Sequence, residues 1–454
     1  MYKRGLFIGF FWLVSLIGFG QLSSNFVSLD KATYDYYLKK DWENLITYGK
    51  WGLQNGFDYY YLRMRLGIAY YEQKNYRKAI AHFRKALEFN PKETTALEYL
   101  YYSYLFSGRK SDAYALVSNF PQSLKNHLHL TDKTALTGLS IYNTYRWNPD
   151  YTTITSGFTL PWELVDDGWQ AIEKNLNYFN FRFEHQLGNK FSLLHGYGYL
   201  TKMRNMFVQN NVNTIPYIND RFNQYQIFVS GNLSVHRSIS LKLTIHYINL
   251  RPKTYESSSW GGGLFSNSDY ATVSPQNNWV GYLSGNLDLG LFTFHGGLGY
   301  SNLNNRYQFQ KDFMLSFFPL GNLNLYSVTK ISHQSNYYQS LVYNDHFVFD
   351  QTLGFKTFNP LWVELYATWG ELSNFSVLDG TVIYNDINPI QYKFGLNLLI
   401  PLSEKGIELS ILYEYMGSES RYFTDSGESL DINNAIHHSV HSITGGIKWN
   451  ISKK

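Results

Sequence analysis

Two stretches decide the fold: Gln391-Tyr392-Lys393-Phe394-Gly395-Leu396-Asn397-Leu398-Leu399-Ile400 and, after a short break, Ile407-Glu408-Leu409-Ser410-Ile411-Leu412-Tyr413-Glu414-Tyr415. In the first, Tyr392, Phe394, Leu396, Leu398 and Ile400 alternate with Gln391, Lys393, Gly395 and Asn397. In the second, Ile407, Leu409, Ile411, Tyr413 and Tyr415 alternate with Glu408, Ser410 and Glu414. Successive side chains of a strand point to opposite faces, so each run has one apolar and one polar face. The pattern recurs upstream. Phe179, Phe181 and Phe183 alternate with Asn180, Arg182 and Glu184, and Leu241, Leu243 and Ile245 with Lys242, Thr244 and His246. Strands of soluble sandwiches are about five or six residues long. These runs reach about ten to fourteen, the length a tilted strand needs to cross hydrocarbon. Residues 135–454 therefore read as a transmembrane antiparallel β-barrel with apolar residues outside and polar ones within.

Composition agrees. The 454 residues are 16% charged and 18% aromatic, with 40 Tyr, 32 Phe and 11 Trp, and strands favour aromatics. The mean hydropathy of −0.31 does not fit a helical membrane protein. There is no cysteine, which excludes a disulfide framework, a thiolate metal site and a thiol nucleophile. At the N-terminus, Lys3 and Arg4 precede an apolar run from Leu6 to Phe19, with Gly18 and Gly20 before Gln21. That is the pattern of an export signal, expected over residues 1–20, with a short segment 21–30 after it.

Tight connections fall near 187–189, 234–237, 289–290, 319–321, 358–360 and 403–405; longer ones fall at 148–173, 205–220, 252–275, 335–341, 373–389 and 418–436. Short periplasmic turns alternating with long outer loops are the signature of outer-membrane barrels. The strands expected between them lie near 135–147, 174–186, 190–204, 221–233, 237–250, 276–287, 290–302, 306–317, 321–334, 342–355, 360–372, 390–401, 406–417 and 437–451. That makes fourteen, within a range of twelve to sixteen, with both ends on the periplasmic side. The last strand carries Ile443, Ile447, Trp449 and Ile451 on one face, followed by Lys453 and Lys454.

Residues 31–126 repeat at a period of 34. Leu66-Gly67, Tyr70, Ala79, Phe83, Ala86 and Pro91 return as Leu100-Tyr101, Tyr104, Ala113, Val117 and Phe120, and Asp41-Trp42 precedes Asn75-Tyr76 by one period. This resembles the tetratricopeptide repeat, a helix–turn–helix unit. The resemblance implies an all-α domain of about three repeats, a linker over 127–134, and a concave groove that binds partner proteins. Carried onto this chain, the groove residues are Tyr61, Met64, Ile68 and Tyr71, then Tyr102 and Leu105. The segment holds 15 Lys+Arg against 9 Asp+Glu, which would favour an acidic partner.

Little in the sequence points to catalysis. His437 and His441 share a strand face roughly 13 Å apart, too far for one ion, and His438 faces the other way. His246, His295, His333 and His346 have no local motif tying them to Ser or Asp. The Trp260-Gly261-Gly262-Gly263 run lacks the following helix that a phosphate cradle needs. No enzyme, catalytic residue, metal, cofactor or nucleic-acid partner is expected. Inward charges of both signs (Arg182, Glu184, Lys242, Lys330, Asp350, Glu364, Lys393, Glu408, Glu414 and Lys448) would either line a wet pore or pair and close it. As a whole the chain resembles an outer-membrane barrel with a periplasmic tetratricopeptide domain. Two functions use that architecture. One is a barrel that anchors an interaction module within an envelope assembly or secretion complex, its partners being periplasmic or outer-membrane proteins and the surrounding lipid. The other is an exopolysaccharide exporter, whose repeats bind polymer or its processing enzymes. Exporters of that kind carry a long superhelix of repeats and usually sixteen strands, so the short repeat array favours the anchor.

Overall fold

A computed structural model describes residues 26–130, 135–156, 168–209, 214–254, 276–338, 341–386, 388–402, 406–424 and 429–451. The expected export signal, the 260–263 loop and the terminal lysines lie outside the described residues. No helix among those described is long and apolar enough to cross a membrane.

Three helix pairs open the chain: α1 (Phe26–Leu38) with α2 (Trp42–Gln54), α3 (Tyr60–Glu72) with α4 (Tyr76–Phe89), and α5 (Thr94–Phe106) with the short α6 (Lys110–Leu116). A closing turn of helix, α7 (Gln122–His127), follows. The first helix begins ahead of the expected boundary at 31, because Leu29 packs against Gly52 of α2. The 34-residue period is a backbone period as well. Lys40, Lys74 and Gly108 occupy the same turn position and all have positive φ. Asp41 and Asn75 follow the first two and accept the backbone N–H of Asn44 and Lys78 as N-caps. Small residues set the spacing between paired helices: a Cβ on Gly67 would lie 2.6 Å from the Phe83 ring. Leu45, Leu62, Leu66, Phe83, Leu97 and Tyr104 fill the core of the array.

The barrel closes with fourteen antiparallel strands. They are β1 (Leu136–Trp147), β2 (Gly168–Gln186), β3 (Phe191–Gln209), β4 (Thr214–His236), β5 (Ile239–Thr254), β6 (Gln276–Leu289), β7 (Phe292–Ser301), β8 (Tyr307–Phe317), β9 (Leu325–Tyr338), β10 (Leu341–Phe358), β11 (Leu361–Trp369), β14 (Ile390–Leu402), β15 (Ile407–Thr424) and β16 (Ser429–Asn450). The numbers twelve and thirteen belong to β12 (Phe375–Val377) and β13 (Val382–Tyr384), a separate hairpin that takes no part in the barrel wall. Each strand pairs with its neighbours in order, and β1 pairs with both β2 and β16 to close the ring. A helical turn, α8 (Tyr151–Ser156), sits in the β1–β2 connection.

Two expected long loops turn out to be strand. Residues 205–209 and 214–220 extend β3 and β4, and 418–424 and 429–436 extend β15 and β16. Pairing continues beyond the length hydrocarbon requires, so a polar composition there does not mark a loop.

The register puts Leu243, Leu283, Leu298, Ile331, Leu353, Leu365, Leu396, Ile411 and Ile443 on the exposed outer face. Aromatic rings flank this band. Trp147, Trp279 and Trp369 with Tyr392 lie toward the long-loop end; Phe292, Phe317, Phe358 and Trp449 lie toward the short-turn end. Such paired girdles mark the two membrane–water interfaces. Ile411→Arg, on the outer face, should cost about 2–4 kcal/mol and impair assembly. Ser410→Asn, on the lumen face of the same strand, should assemble normally. Heat-modifiable migration on gels reads the difference, and equal behaviour would contradict the register.

Candidate functional site: a hairpin in the lumen above a docked repeat domain

The connection between β11 and β14 does not stay outside. Phe375 pairs with Tyr384 and Val377 with Val382 to make the β12–β13 hairpin, which hangs in the lumen. At its tip Leu378, Asp379 and Gly380 all have positive φ. A non-glycine residue resists that conformation, so the tip must be held by its surroundings. Asp379 bonds Lys242 at 2.7 Å and His295 at 3.1 Å. His246 donates through Nδ1 to the Gly380 carbonyl at 2.8 Å. Gln310 donates to the Ser376 carbonyl and accepts from its N–H. Farther out, Lys393 donates to Tyr384 Oη at 3.0 Å, and Lys202 bridges Asp386 and Glu173. Apolar clusters grip both sides. Phe375 packs with Val348, Leu372, Ile390, Met416 and Val440, and Ile383 packs against Ile248, Val280 and Leu303.

The opposite end of the lumen is covered by the repeat domain. Its turn faces, 74–77 and 107–111, meet the short turns of the barrel. Arg77, 4% exposed, donates to the carbonyls of Gly290 and Phe292 and to Thr293, and stacks on Phe318 at 3.7 Å. Arg109 donates to the Arg237 carbonyl at 2.7 Å. Both guanidiniums share Asp288, Arg77 at 3.6 Å and Arg109 at 3.3 Å. The Arg77 N–H donates to the Gly321 carbonyl, and Asn322 returns a bond to the Lys74 carbonyl. Lys110 faces Glu184 at 3.8 Å, and Arg84 reaches Ser238. Burial pushes the Arg77 guanidinium down to about 10, so it stays charged at neutral pH. Four basic side chains of the repeats, Arg77, Arg84, Arg109 and Lys110, thus meet carboxylates, carbonyls and hydroxyls of the barrel's short-turn end.

Several of the inward charges pair, and others bond neutral groups. Lys448 meets Glu184 at 2.6 Å, Lys330 meets Asp312 at 2.7 Å and Lys393 meets Glu414 at 3.5 Å. Glu364 accepts from Tyr326 and Asn397, Asp350 accepts from Thr368, and Arg182 lies over the rings of Tyr142 and Phe228.

The six groove residues part company. Tyr61 is 63% exposed, beside Arg65 and Tyr34. Ile68, Tyr102 and Leu105 are half-buried. Tyr71 is wedged edge-on against Tyr76 and Tyr99. Met64 corrects the expectation: at 7% exposure it belongs to the core, because α3 is flanked on both sides by helices. Phe106, one helical turn after Tyr102 and stacked on it, is an exposed aromatic that the groove pattern passed over. At the outer rim His441 stacks on Trp147 and bonds Tyr413 on the outside of the barrel, whereas His438 is buried in the lumen.

Residues 60–93 match the tetratricopeptide repeat family. That is α3, α4 and the turn after them. No protein of curated function is similar enough in sequence to match the chain. Among solved structures, the toluene transporter TodX of Pseudomonas putida shares 9% identity over 74% of this chain and 91% of that chain, with a TM-score of 0.40. A bacterial polysaccharide outer membrane secretin shares 8% over 70% and 99%, at 0.35. MamA AMB-1 shares 21% over 24% and 57%, at 0.20. Scores this low carry no functional argument. The chain is an outer-membrane barrel with tetratricopeptide repeats, and repeats of that kind serve protein–protein interaction.

Two outcomes follow. Asp288→Asn removes the carboxylate that Arg77 and Arg109 share, and breaking a buried pair of this kind costs about 3–5 kcal/mol. Amide exchange in α4 and α6 should quicken while the barrel stays heat-modifiable; unchanged exchange would contradict the docking. The second concerns His82, which stacks on Tyr70 and lies 3.3 Å from Arg63. Burial, with the Arg63 charge beside it, holds the imidazole down at about 4. The unfolded chain then takes up the proton first, so repeat-domain stability is present above about 6.5 and is lost as pH falls toward 4. The urea midpoint of the helix circular-dichroism signal should drop between pH 7 and 5, and His82→Gln should flatten the dependence.

Proposed function

We propose that the protein is a non-enzymatic outer-membrane anchor that presents its repeats to the periplasm, as a scaffold or subunit of an envelope assembly or secretion complex. One observation carries this reading: the lumen holds a pinned hairpin at one end and a docked helical domain at the other. A barrel built as a conduit would gain nothing from spending its inward charges on closing both ends. Short turns face the periplasm in outer-membrane barrels, which supports a periplasmic position for the repeats docked on them. Docking uses the helix-turn faces at 74–77 and 107–111 and leaves Tyr61, Tyr34, Tyr102 and Phe106 uncovered. The partner is a periplasmic or outer-membrane protein. Export of a polysaccharide, the other function of this architecture, would require the hairpin to withdraw and the repeats to undock.

Buried aromatics dominate many interfaces, each worth about 2 kcal/mol or more at the centre. Tyr61→Ala combined with Tyr102→Ala should therefore release partner proteins that cross-link to the wild type in intact cells. Tyr71 is left in place because it packs against Tyr99. The barrel should remain inserted and the helix signal unchanged. An identical cross-linking pattern in the double variant would overturn the groove assignment.

A further inference from the structure

Between the hairpin and the inner face of the barrel, from β8–β11 through β14–β16 to β1–β4, runs a cavity of about 630 Å³, within the range of small-molecule sites. Its lining departs from the polar interior expected of a barrel. Leu176, Leu399, Leu412 and Val440 point inward from the wall, opposite Val382 and Ile383 of the hairpin. Tyr142, Tyr178 and Tyr384 add ring faces.

The polar atoms on this lining are unevenly matched. Asn385 donates to Gln224, which leaves its Oδ1 without a partner; Asn397 donates to Glu364, which leaves its Oδ1 likewise. His438, 8% exposed, turns Nδ1 toward the Ile436 carbonyl at 3.4 Å, so Nε2 is left as an unpartnered acceptor. Arg146 Nε and Glu173 Oε1, on facing residues 3.8 Å apart, are unpartnered on the same lining. A buried polar atom without a partner costs about 1–3 kcal/mol. Cationic and anionic side chains are equal in number on the lining, and three of the cations are firmly held: Lys202 by Glu173 and Asp386, Lys393 by Glu414 and Lys330 by Asp312. A charged ligand would have to break those pairs.

We propose that this cavity binds an uncharged, hydroxyl-rich molecule with an apolar face, a glycoside in chemical class. Its hydroxyls donate to Asn385 and His438, and its apolar face lies on the leucines and tyrosines. The site is independent of what the repeats bind, so it stands or falls separately from the anchor reading.

The test uses the full-length protein in a zwitterionic amine-oxide detergent, which has no hydroxyl groups. Saturation-transfer NMR is recorded with phenyl β-glucoside, sodium dodecanoate and glycerol as separate probes. Phenyl β-glucoside should show saturable transfer, and the other two should not. His438→Phe keeps the ring and removes the acceptor, and should weaken the glucoside by about tenfold, the loss expected for one hydrogen bond. Leu412→Trp should fill the cavity and abolish the signal. Both variants are checked for heat-modifiable migration, and Leu399→Phe is the replacement should Leu412→Trp fail to assemble. No transfer to the glucoside, transfer undiminished in the filled variant, or dodecanoate binding as well as the glucoside would each overturn the proposal.

Discussion

A strand surrounded by lipid has no water to bond its backbone. Every N–H and C=O that crosses the hydrocarbon must find a partner in the neighbouring strand, and the last strand must find the first. Here β1 meets both conditions by pairing with β2 on one side and β16 on the other. That closure depends on register, because a slip of one residue would turn Lys242, Glu414 and Lys448 toward lipid and Leu243, Tyr413 and Ile447 toward the lumen. The alternation read along each strand therefore fixes the outer surface, and the closed ring fixes an interior that must then be filled, wetted or paired.

This chain pairs and fills it. Lysines and carboxylates meet across the wall, and one long connection adds further partners: Asp379 for Lys242 and His295, Asp386 for Lys202 beside Glu173, and Tyr384 for Lys393 beside Glu414. Attraction between such charges is strengthened by partial burial, but each must be desolvated to form it. The same logic operates at the short-turn end, where Asp288 holds two guanidiniums of the repeat domain. Hairpin and repeats are thus tied to the barrel by one device, a carboxylate shared with cations of the facing element.

The parts legible in the sequence are those governed by local periodicity. The period of two gave the barrel and its faces, and the period of 34 gave the helix pairs. Even the left-handed turn residues Lys40, Lys74 and Gly108 obey the second. What escaped depended on distant partners. Nothing local marks Arg77 and Arg109 as interface residues, since their common partner lies some two hundred positions away. Met64 has a groove position by repeat numbering, yet packing of α3 between two neighbouring helices buries it. The hairpin is a different case. Asp379-Gly380 between Phe375-Ser376-Val377 and Val382-Ile383-Tyr384 is a recognisable hairpin signal. The run is too short for periodicity to separate it from the 373–389 connection, and its destination in the lumen is a tertiary fact.

The central claim is that the barrel is closed by its own hairpin. Conductance across a planar lipid bilayer tests it most directly, comparing the full-length protein with a form in which residues 374–386 are replaced by a short Gly-Ser linker. The account predicts no stable openings for the intact protein, and discrete ohmic steps once the hairpin is removed. Large steady openings from the intact protein, unchanged by removal of the hairpin, would contradict it.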